Sequence, residues 1–452
     1  MKIVIVGCGK VGLTVAGQLC RENYDITVVD TSKKNIDRVT GMYDVYGVIG
    51  NGVSADVLEE AGIKEADLFI TLTGNDELNL VCCLVARKIA KCKTIARIHN
   101  PIYSKELDLI KGELGLSMIV NSELMAAEEI ARILRSPSAR KIETFAKGRV
   151  EIIKYKLLET SSLCDTAIRD TFRKIKENVL ICAVERGDEV IIPMGDFVLQ
   201  AGDVISITTV SKKANVILRK ITNTNNKVSS ALIVGGGGVS YYLAKSLLAN
   251  GIRVTIIEKD YDRCNELSLT LDGAMIINAD AVNESILYEE GIVDVDAFIT
   301  LTNIDETNLL LSLFGKHNST AKIITKVHTI AYDDVISSMD LDTVICPKNI
   351  VGENIVRYAR ALENSKGSNI ETLYNIIEGK AEAIEFIIRA ECPLIGKKIM
   401  DIKIKSGIIV ASITHGKQIE IANGNSVIRE GDSVVIVTTR EGLNDIQDIL
   451  VR

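Results

Sequence analysis

The chain of 452 residues is written twice. The loop Gly7-Cys8-Gly9-Lys10-Val11-Gly12 follows the apolar run 3–6, and Gly235-Gly236-Gly237-Gly238-Val239-Ser240 follows the run 232–234. An offset of 228 or 229 positions then carries Asp30 to Glu258 and Thr71-Leu72-Thr73 to Thr300-Leu301-Thr302. It also carries Arg97-Ile98-His99 to Lys326-Val327-His328, and Gly202-Asp203 to Gly431-Asp432. Solenoid repeats have periods of up to roughly 50 residues, so this period describes a duplicated multi-domain unit. Any fold for the chain must be built as two versions of one half.

Within a half, short apolar runs alternate with helical periodicity. Strands are predicted at 2–6, 25–30, 45–49, 68–72 and 94–98, with helices at 11–21, 76–91 and 122–134. Strands alternating with helices imply a parallel, doubly wound sheet. After Ser136-Pro137-Ser138 the pattern changes to strands separated by turns, at 150–157, 179–184, 189–193 and 204–208. The fold class expected is therefore α/β: two tandem Rossmann-like doubly wound parallel-sheet domains, each followed by a small mixed α/β domain. Their boundaries are placed at 1–134, 135–221, 231–362 and 363–452, with the polar segment 222–230 as linker. The Ser-rich segments 136–140 and 363–369 read as hinges.

A G-x-G-x-x-G loop carries meaning when it follows a strand and opens a helix. Gly7 allows the tight turn, Gly9 lets the backbone approach a pyrophosphate, and Gly12 lets the helix pack closely on the strand. The helix N-terminus then offers its free amides to phosphate. Asp30, at the end of the next strand, is at the distance where a carboxylate binds ribose hydroxyls and repels a 2′-phosphate. Thr73 and Gly74 follow the fourth strand, where hydroxyls and turn amides can line ribose and phosphates; an ordinary N-cap by Asn75 or Thr73 is compatible with this. Lys10 and Arg97 are candidates to neutralise phosphate oxygens.

The second copy departs from this pattern. Ser240 replaces the third glycine, Asn303 stands where Gly74 stood, and Lys326 replaces Arg97. Gly235, Gly236, Gly237 and Gly238 keep the loop open, and Glu258 keeps an acid for ribose. A second nucleotide site of different affinity and an unoccupied second domain are both compatible with these residues.

Other classes fit poorly. A net charge of −7 argues against unaided binding to nucleic acid or anionic lipid. The ten cysteines form no C-x-x-C pair and the four histidines no cluster, so the cysteines read as reduced thiols packed as small apolar residues and no metal site is expected. The chain opens directly into a strand and holds no uninterrupted apolar stretch of about 18 residues, which predicts neither a leader nor a membrane span. A soluble NAD-dependent oxidoreductase is the competing reading. It needs an acid–base group beside the nicotinamide, and the only mimic, Tyr241-x-x-x-Lys245, lies on the helix opening at the second glycine loop.

The two glycine loops, their acids, and the pattern Ile192-Pro193-x-Gly195 followed by Gly202-Asp203 resemble the TrkA family over the whole length. These are cytosolic nucleotide-binding subunits of bacterial Trk potassium-uptake systems, built from RCK domains (regulators of potassium conductance). In the second copy Glu420-Ile421 replaces Ile192-Pro193, a departure from the family's C-terminal module. The resemblance implies a non-enzymatic regulator that binds NAD(H), and ATP or ADP, in its Rossmann-like domains. It implies assembly as a tetrameric ring against an integral-membrane, Trk-type potassium transporter subunit, hence a cytoplasmic location peripheral to the inner face of the cell membrane. Residues matching the family's dinucleotide site are Gly7, Cys8, Gly9, Lys10, Val11, Asp30, Thr73, Gly74 and Arg97. In the second copy they are Gly235, Gly236, Gly237, Gly238, Val239, Glu258 and Thr302. Some single-copy relatives use the small domain to bind a further signal such as a cyclic dinucleotide.

Overall fold

The computed structural model describes residues 1–100, 103, 112–135, 141–146, 149–187, 189–222, 228–328, 339, 341–364, 370–377, 380–416, 418–440, 443 and 445–451. The hinge segment 136–140 lies outside the described residues, as do 365–369 of the second hinge and 223–227 of the linker.

The first half opens with β1 (Lys2–Val6), α1 (Lys10–Arg21), β2 (Asp25–Asp30), α2 (Lys33–Met42), β3 (Tyr46–Ile49), α3 (Ala55–Glu60), β4 (Leu68–Thr71), α4 (Asp76–Ile89), β5 (Lys93–Arg97), β6 (Met118–Val120) and α5 (Ser122–Arg135). All six strands are parallel, in the order β3-β2-β1-β4-β5-β6. The order reverses between β1 and β4, and ligands of open parallel sheets bind in the crevice at such a point. Strands covered by helices on both faces must be apolar along their length: Ile3, Val4, Ile5 and Val6 of β1 are all buried, as are Leu68, Phe69 and Ile70 of β4.

The small sheet of the first half comprises β7 (Lys141–Phe145), β8 (Val150–Lys156), β9 (Leu180–Arg186), β10 (Glu189–Ile191) and β11 (Val204–Val210), with short helices α6 (Thr171–Ile175) and α7 (Ala214–Thr222). It is antiparallel, in the order β10-β9-β11-β8-β7.

The second half repeats both patterns. Its parallel sheet uses β12 (Ser230–Val234), β13 (Arg253–Glu258), β14 (Met275–Asn278), β15 (Ala297–Thr300), β16 (Lys322–Lys326) and β17 (Thr343–Ile345), in the order β14-β13-β12-β15-β16-β17. The helices are α8 (Gly238–Ala249), α9 (Tyr261–Thr270), α10 (Glu284–Glu289), α11 (Asp305–Asn318) and α12 (Pro347–Asn364). Its antiparallel sheet uses β18 (Ile370–Ile377), β19 (Ala381–Ile387), β20 (Ile408–His415), β21 (Gln418–Ile421) and β22 (Ser433–Thr438), in the order β18-β19-β22-β20-β21.

In space the halves are regrouped. Residues 1–131 and 229–359, holding both parallel sheets, form one compact unit; 132–228 and 360–452, holding both antiparallel sheets, form another. In the second unit Phe145, Val150 and Cys182 share a core with Ala383, Ala411 and Val435, so each small sheet covers an apolar face of the other. Glu385 is buried at this contact and accepts hydrogen bonds from the Ala146 amide at 3.2 Å and from the Ser433 hydroxyl.

The helix carrying Cys82 and Cys83 buries both thiols, although adjacent residues point about 100° apart. α4 packs a broad apolar face that takes in Val6, Phe69 and Ala96, wide enough for two neighbouring positions.

Candidate functional site

The first glycine loop leaves β1 with Gly7 at φ 96°, a left-handed conformation that side chains disfavour. A Cβ on Gly7 would lie 2.8 Å from the Leu72 carbonyl carbon and the Thr73 nitrogen, so β4 approaches the loop at backbone distance. A Cβ on Gly12 would overlap the Gly7 carbonyl, which is why helix and loop can touch there. Gly9 has nothing within 4 Å of its Cβ position; the space it leaves is open to the cavity.

Asp30 is held from behind. Its Oδ2 accepts the Cys8 amide at 2.7 Å, and its Oδ1 accepts the Ser32 amide at 2.8 Å and Asn35 Nδ2 at 3.2 Å. The carboxylate lines the cavity and, with about four acceptor sites, keeps one beyond these three bonds. Burial, together with the neighbouring Asp30 charge, pushes the Cys8 thiol up to about 12, so Cys8 stays protonated and inert in the loop.

The β4 edge is organised by a residue that periodicity does not reveal. Asn79, fully buried on α4, accepts the Thr73 hydroxyl at 2.7 Å and the Thr73 amide at 3.0 Å, and donates to the Arg97 carbonyl at 2.9 Å. Asn75 caps α4 by accepting the Leu78 amide at 2.6 Å. Asp76 accepts the His99 and Asn100 amides at 3.0 and 2.8 Å, which places His99 as a structural neighbour of the helix start.

Together these elements enclose a cavity of ≈ 620 Å³, within the range of small-molecule sites. Gly7, Gly9, Lys10, Val11, Asp30, Thr73, Gly74 and Arg97 all line it, while Cys8 and Gly12 stand behind its wall. The second half contributes Val239, Asn303, Lys326, His328, Pro347 and Lys348 to the same lining. Among the described lining residues four cations, Lys10, Arg97, Lys326 and Lys348, face two carboxylates, Asp30 and Glu123. The Arg97 Nε is buried and makes no hydrogen bond, which leaves a donor for an anionic guest.

Lys326, only 5% exposed, donates to the Leu301 carbonyl at 2.9 Å. Burial holds its ammonium below the ordinary lysine range, and the Glu123 and Asp305 carboxylates oppose that shift. His328 Nδ1 lies 2.8 Å from Asp305 Oδ1, leaving Nε2 as the nitrogen available to a ligand.

The second loop repeats the geometry with less room. Gly235 has φ 96°, and Glu258 accepts the Gly236 amide at 2.6 Å and the Asp260 amide at 2.8 Å. Ser240 turns the loss of the third glycine into a hydrogen bond from its hydroxyl to the Gly235 carbonyl. Gly235, Gly236, Gly237, Glu258 and Thr302 line a cavity of ≈ 300 Å³, in which the described charged residues are Lys259, Glu258 and Asp280. Gly238 lines neither cavity, and Val239 lines the first. Tyr241 and Lys245 line neither.

Reading the sequence by copies missed Glu123 and Lys348, which start α5 and α12 after equivalent short strands. Their opposite charge was visible; the cavity each one meets was not. Asn79 and Asn308 were legible only as a repeated pair: Asn308 likewise accepts the Thr302 hydroxyl at 2.7 Å and donates to the Lys326 carbonyl at 2.9 Å.

Comparison with known proteins agrees with this architecture. The TrkA-N domain family matches residues 3–122 and 231–347, and the TrkA-C domain family matches 152–222 and 383–451. The Trk system potassium uptake protein TrkA homolog of Archaeoglobus fulgidus is 32% identical, over 99% of this chain and 100% of that one. TrkA homolog 1 of Methanosarcina mazei is 30% identical, over 99% of each. The structure titled GsuK channel bound to NAD superposes with a TM-score of 0.62 at 18% identity, over 97% of this chain and 77% of that one; this likeness speaks to the fold. With two TrkA-N and two TrkA-C domains in alternation, the chain belongs to the TrkA family.

Proposed function

We propose that this chain is a nucleotide-sensing regulatory subunit of a Trk-type potassium-uptake system, and that the first cavity is its principal nucleotide site. The observation that carries the reading is the combination of an open Gly9 beside a fixed Asp30 carboxylate with four cations around the same cavity. Asp30 takes the ribose hydroxyls. Lys10, Arg97 and the amides opening α1 take the phosphates. NAD(H), ATP and ADP all present this chemistry, and the names of the relatives supply the potassium-transport context.

The chain acts in this reading as a sensor, and the Tyr241–Lys245 acid–base mimic lines neither cavity. Its partner is the integral-membrane potassium transporter subunit, at the cytoplasmic face, and four chains form a ring with two TrkA-N domains each. A nucleotide that binds two ring states unequally shifts their populations, and only that difference can drive gating.

Calorimetric titration of the purified protein with NADH, NAD, ATP and ADP tests the reading. Binding of at least one of them, lost in Asp30→Ala, is expected. If wild type binds none, the proposed input does not exist and the function must be sought in the small domains.

A further inference from the structure

Positions 97 and 326 are the same place in the two copies, yet both furnish one cavity. Arg97 ends β5 and Lys326 ends β16. Each has its carbonyl held at 2.9 Å by the buried asparagine of the preceding helix, Asn79 in the first copy and Asn308 in the second. Both side chains line the first cavity, and Lys326 is not among the described residues lining the second. At ≈ 620 Å³ the first cavity has the volume of one small-molecule site. A single guest filling it meets walls from both halves.

Lys326 is a buried charge with too few partners. It is only 5% exposed, and an ammonium carries three donors. Among the described residues one of the three is used, toward the Leu301 carbonyl at 2.9 Å. Burial lowers its pKa, and the Glu123 and Asp305 carboxylates oppose that shift without cancelling it. A buried ammonium with unmet donors is costly, and an anion brought against it relieves that cost. The Arg97 Nε, likewise buried, has no partner either. Lys10 and Lys348 add two further cations to the same lining. The described carboxylates there are Glu123 and Asp30, and Asp30 already accepts three hydrogen bonds.

We infer that Lys326 is a specificity-determining residue of the first site, donating to a phosphate of the nucleotide seated on the other half's glycine loop. This rests on the nucleotide reading above and deepens it: the second copy's counterpart of Arg97 acts on the first copy's ligand. The phosphate takes the donors that the protein itself leaves open. Away from water such a charge-assisted hydrogen bond is strong. The same lysine makes the protein without nucleotide less stable than an apolar side chain of equal length would, since its charge is buried and under-partnered.

The test compares the full chain with Lys326→Met and Lys326→Arg. Two quantities are read: the urea midpoint without nucleotide, and the calorimetric affinity for ADP and NADH of the binding event that Asp30→Ala removes. Lys326→Met should unfold at the same urea concentration as wild type or a higher one. Its nucleotide affinity should fall roughly tenfold or more, while Lys326→Arg stays within about threefold of wild type. A lysine with a purely structural role would move both readings down together. Lys326→Met that loses urea resistance along with affinity, or fails to fold, therefore overturns the inference. So does Lys326→Met that binds like wild type, and so does Lys326→Arg that loses as much affinity as Lys326→Met. All of these leave the nucleotide reading intact while wild type binds. Wild type that binds neither ADP nor NADH overturns this inference, and absence of ATP and NAD binding as well overturns the nucleotide reading with it.

Discussion

Asn79 donates to the carbonyl oxygen of Arg97 across 2.9 Å, tying the start of α4 to the end of β5. Its other amide atom accepts from Thr73, so a single buried side chain holds both strand ends that border the first cavity. Asn79→Ala removes the partner of the Thr73 amide and of the Arg97 carbonyl. The expected loss is about 2–3 kcal/mol of stability, read from urea denaturation, with weaker ADP binding. Asn308→Ala should lower stability comparably, because Asn308 makes the same pair of contacts to Thr302 and Lys326 in the second half.

The glycines of the first loop separate folding from binding. Gly7→Ala forces a side chain onto a backbone at φ 96° against the Thr73 nitrogen, and should cost about 3 kcal/mol. Gly9→Ala meets nothing within 4 Å, so its melting temperature without nucleotide should match wild type. Its ADP affinity should fall by roughly tenfold or more, because the methyl group takes the space a pyrophosphate needs. Equal affinity in Gly9→Ala would place the phosphates elsewhere.

Lys348 contributes a charge to the first cavity from the opposite half. Lys348→Glu should weaken ADP binding by roughly ten- to a hundredfold. Because the interaction is electrostatic, raising ionic strength should narrow the gap between variant and wild type. An effect that salt leaves unchanged would point to packing instead.

Asp203 of the first small domain accepts Arg186 Nε at 2.8 Å and Arg186 Nη2 at 2.7 Å. Burial alone would raise its carboxyl, but the Arg186 guanidinium and the Gln200 amide outweigh it, and the carboxyl is held below the ordinary range. A carboxyl lowered on folding adds stability above its unfolded pKa of about 3.9, and that stability is lost as pH falls through the folded value. Asp203→Asn should therefore destabilise the protein by about 3 kcal/mol at pH 7. The difference from wild type should shrink under acid, measured by denaturation across pH.

Burial of Cys8 behind the glycine loop predicts slow alkylation. At pH 8 iodoacetamide should modify the partly exposed Cys20 first and leave Cys8 intact until the protein unfolds. Mass mapping of the labelled thiols checks this; early labelling of Cys8 would mean that the loop opens in solution.

Much of the fold was legible from local pattern. Strands β1 and β2 lie where alternating apolar runs placed them, and α4 ends two residues short of the predicted span. β6 and β7, three and five residues long, were missed: a strand as short as β6 has no period to read, and it pairs in the sheet through β5. The small domains combine helices and strands as expected, and their strands pair antiparallel, a pairing decided by contacts between distant segments.

The sequence by itself determined the duplication, the parallel sheets and the loop–acid pairing in each copy. The duplication follows from an offset of 228 or 229 positions repeated along the chain, and the sheets and loop–acid pairing from local residue spacing, where backbone geometry leaves few options. Only the tertiary structure decided that like domains group with like, that Lys348 and Glu123 line the first cavity, and that the Glu123 carboxylate lies against Gly238. Those contacts join residues far apart in the chain. They arise because apolar faces must be covered by one another, and no local pattern states which helix start will then face which loop.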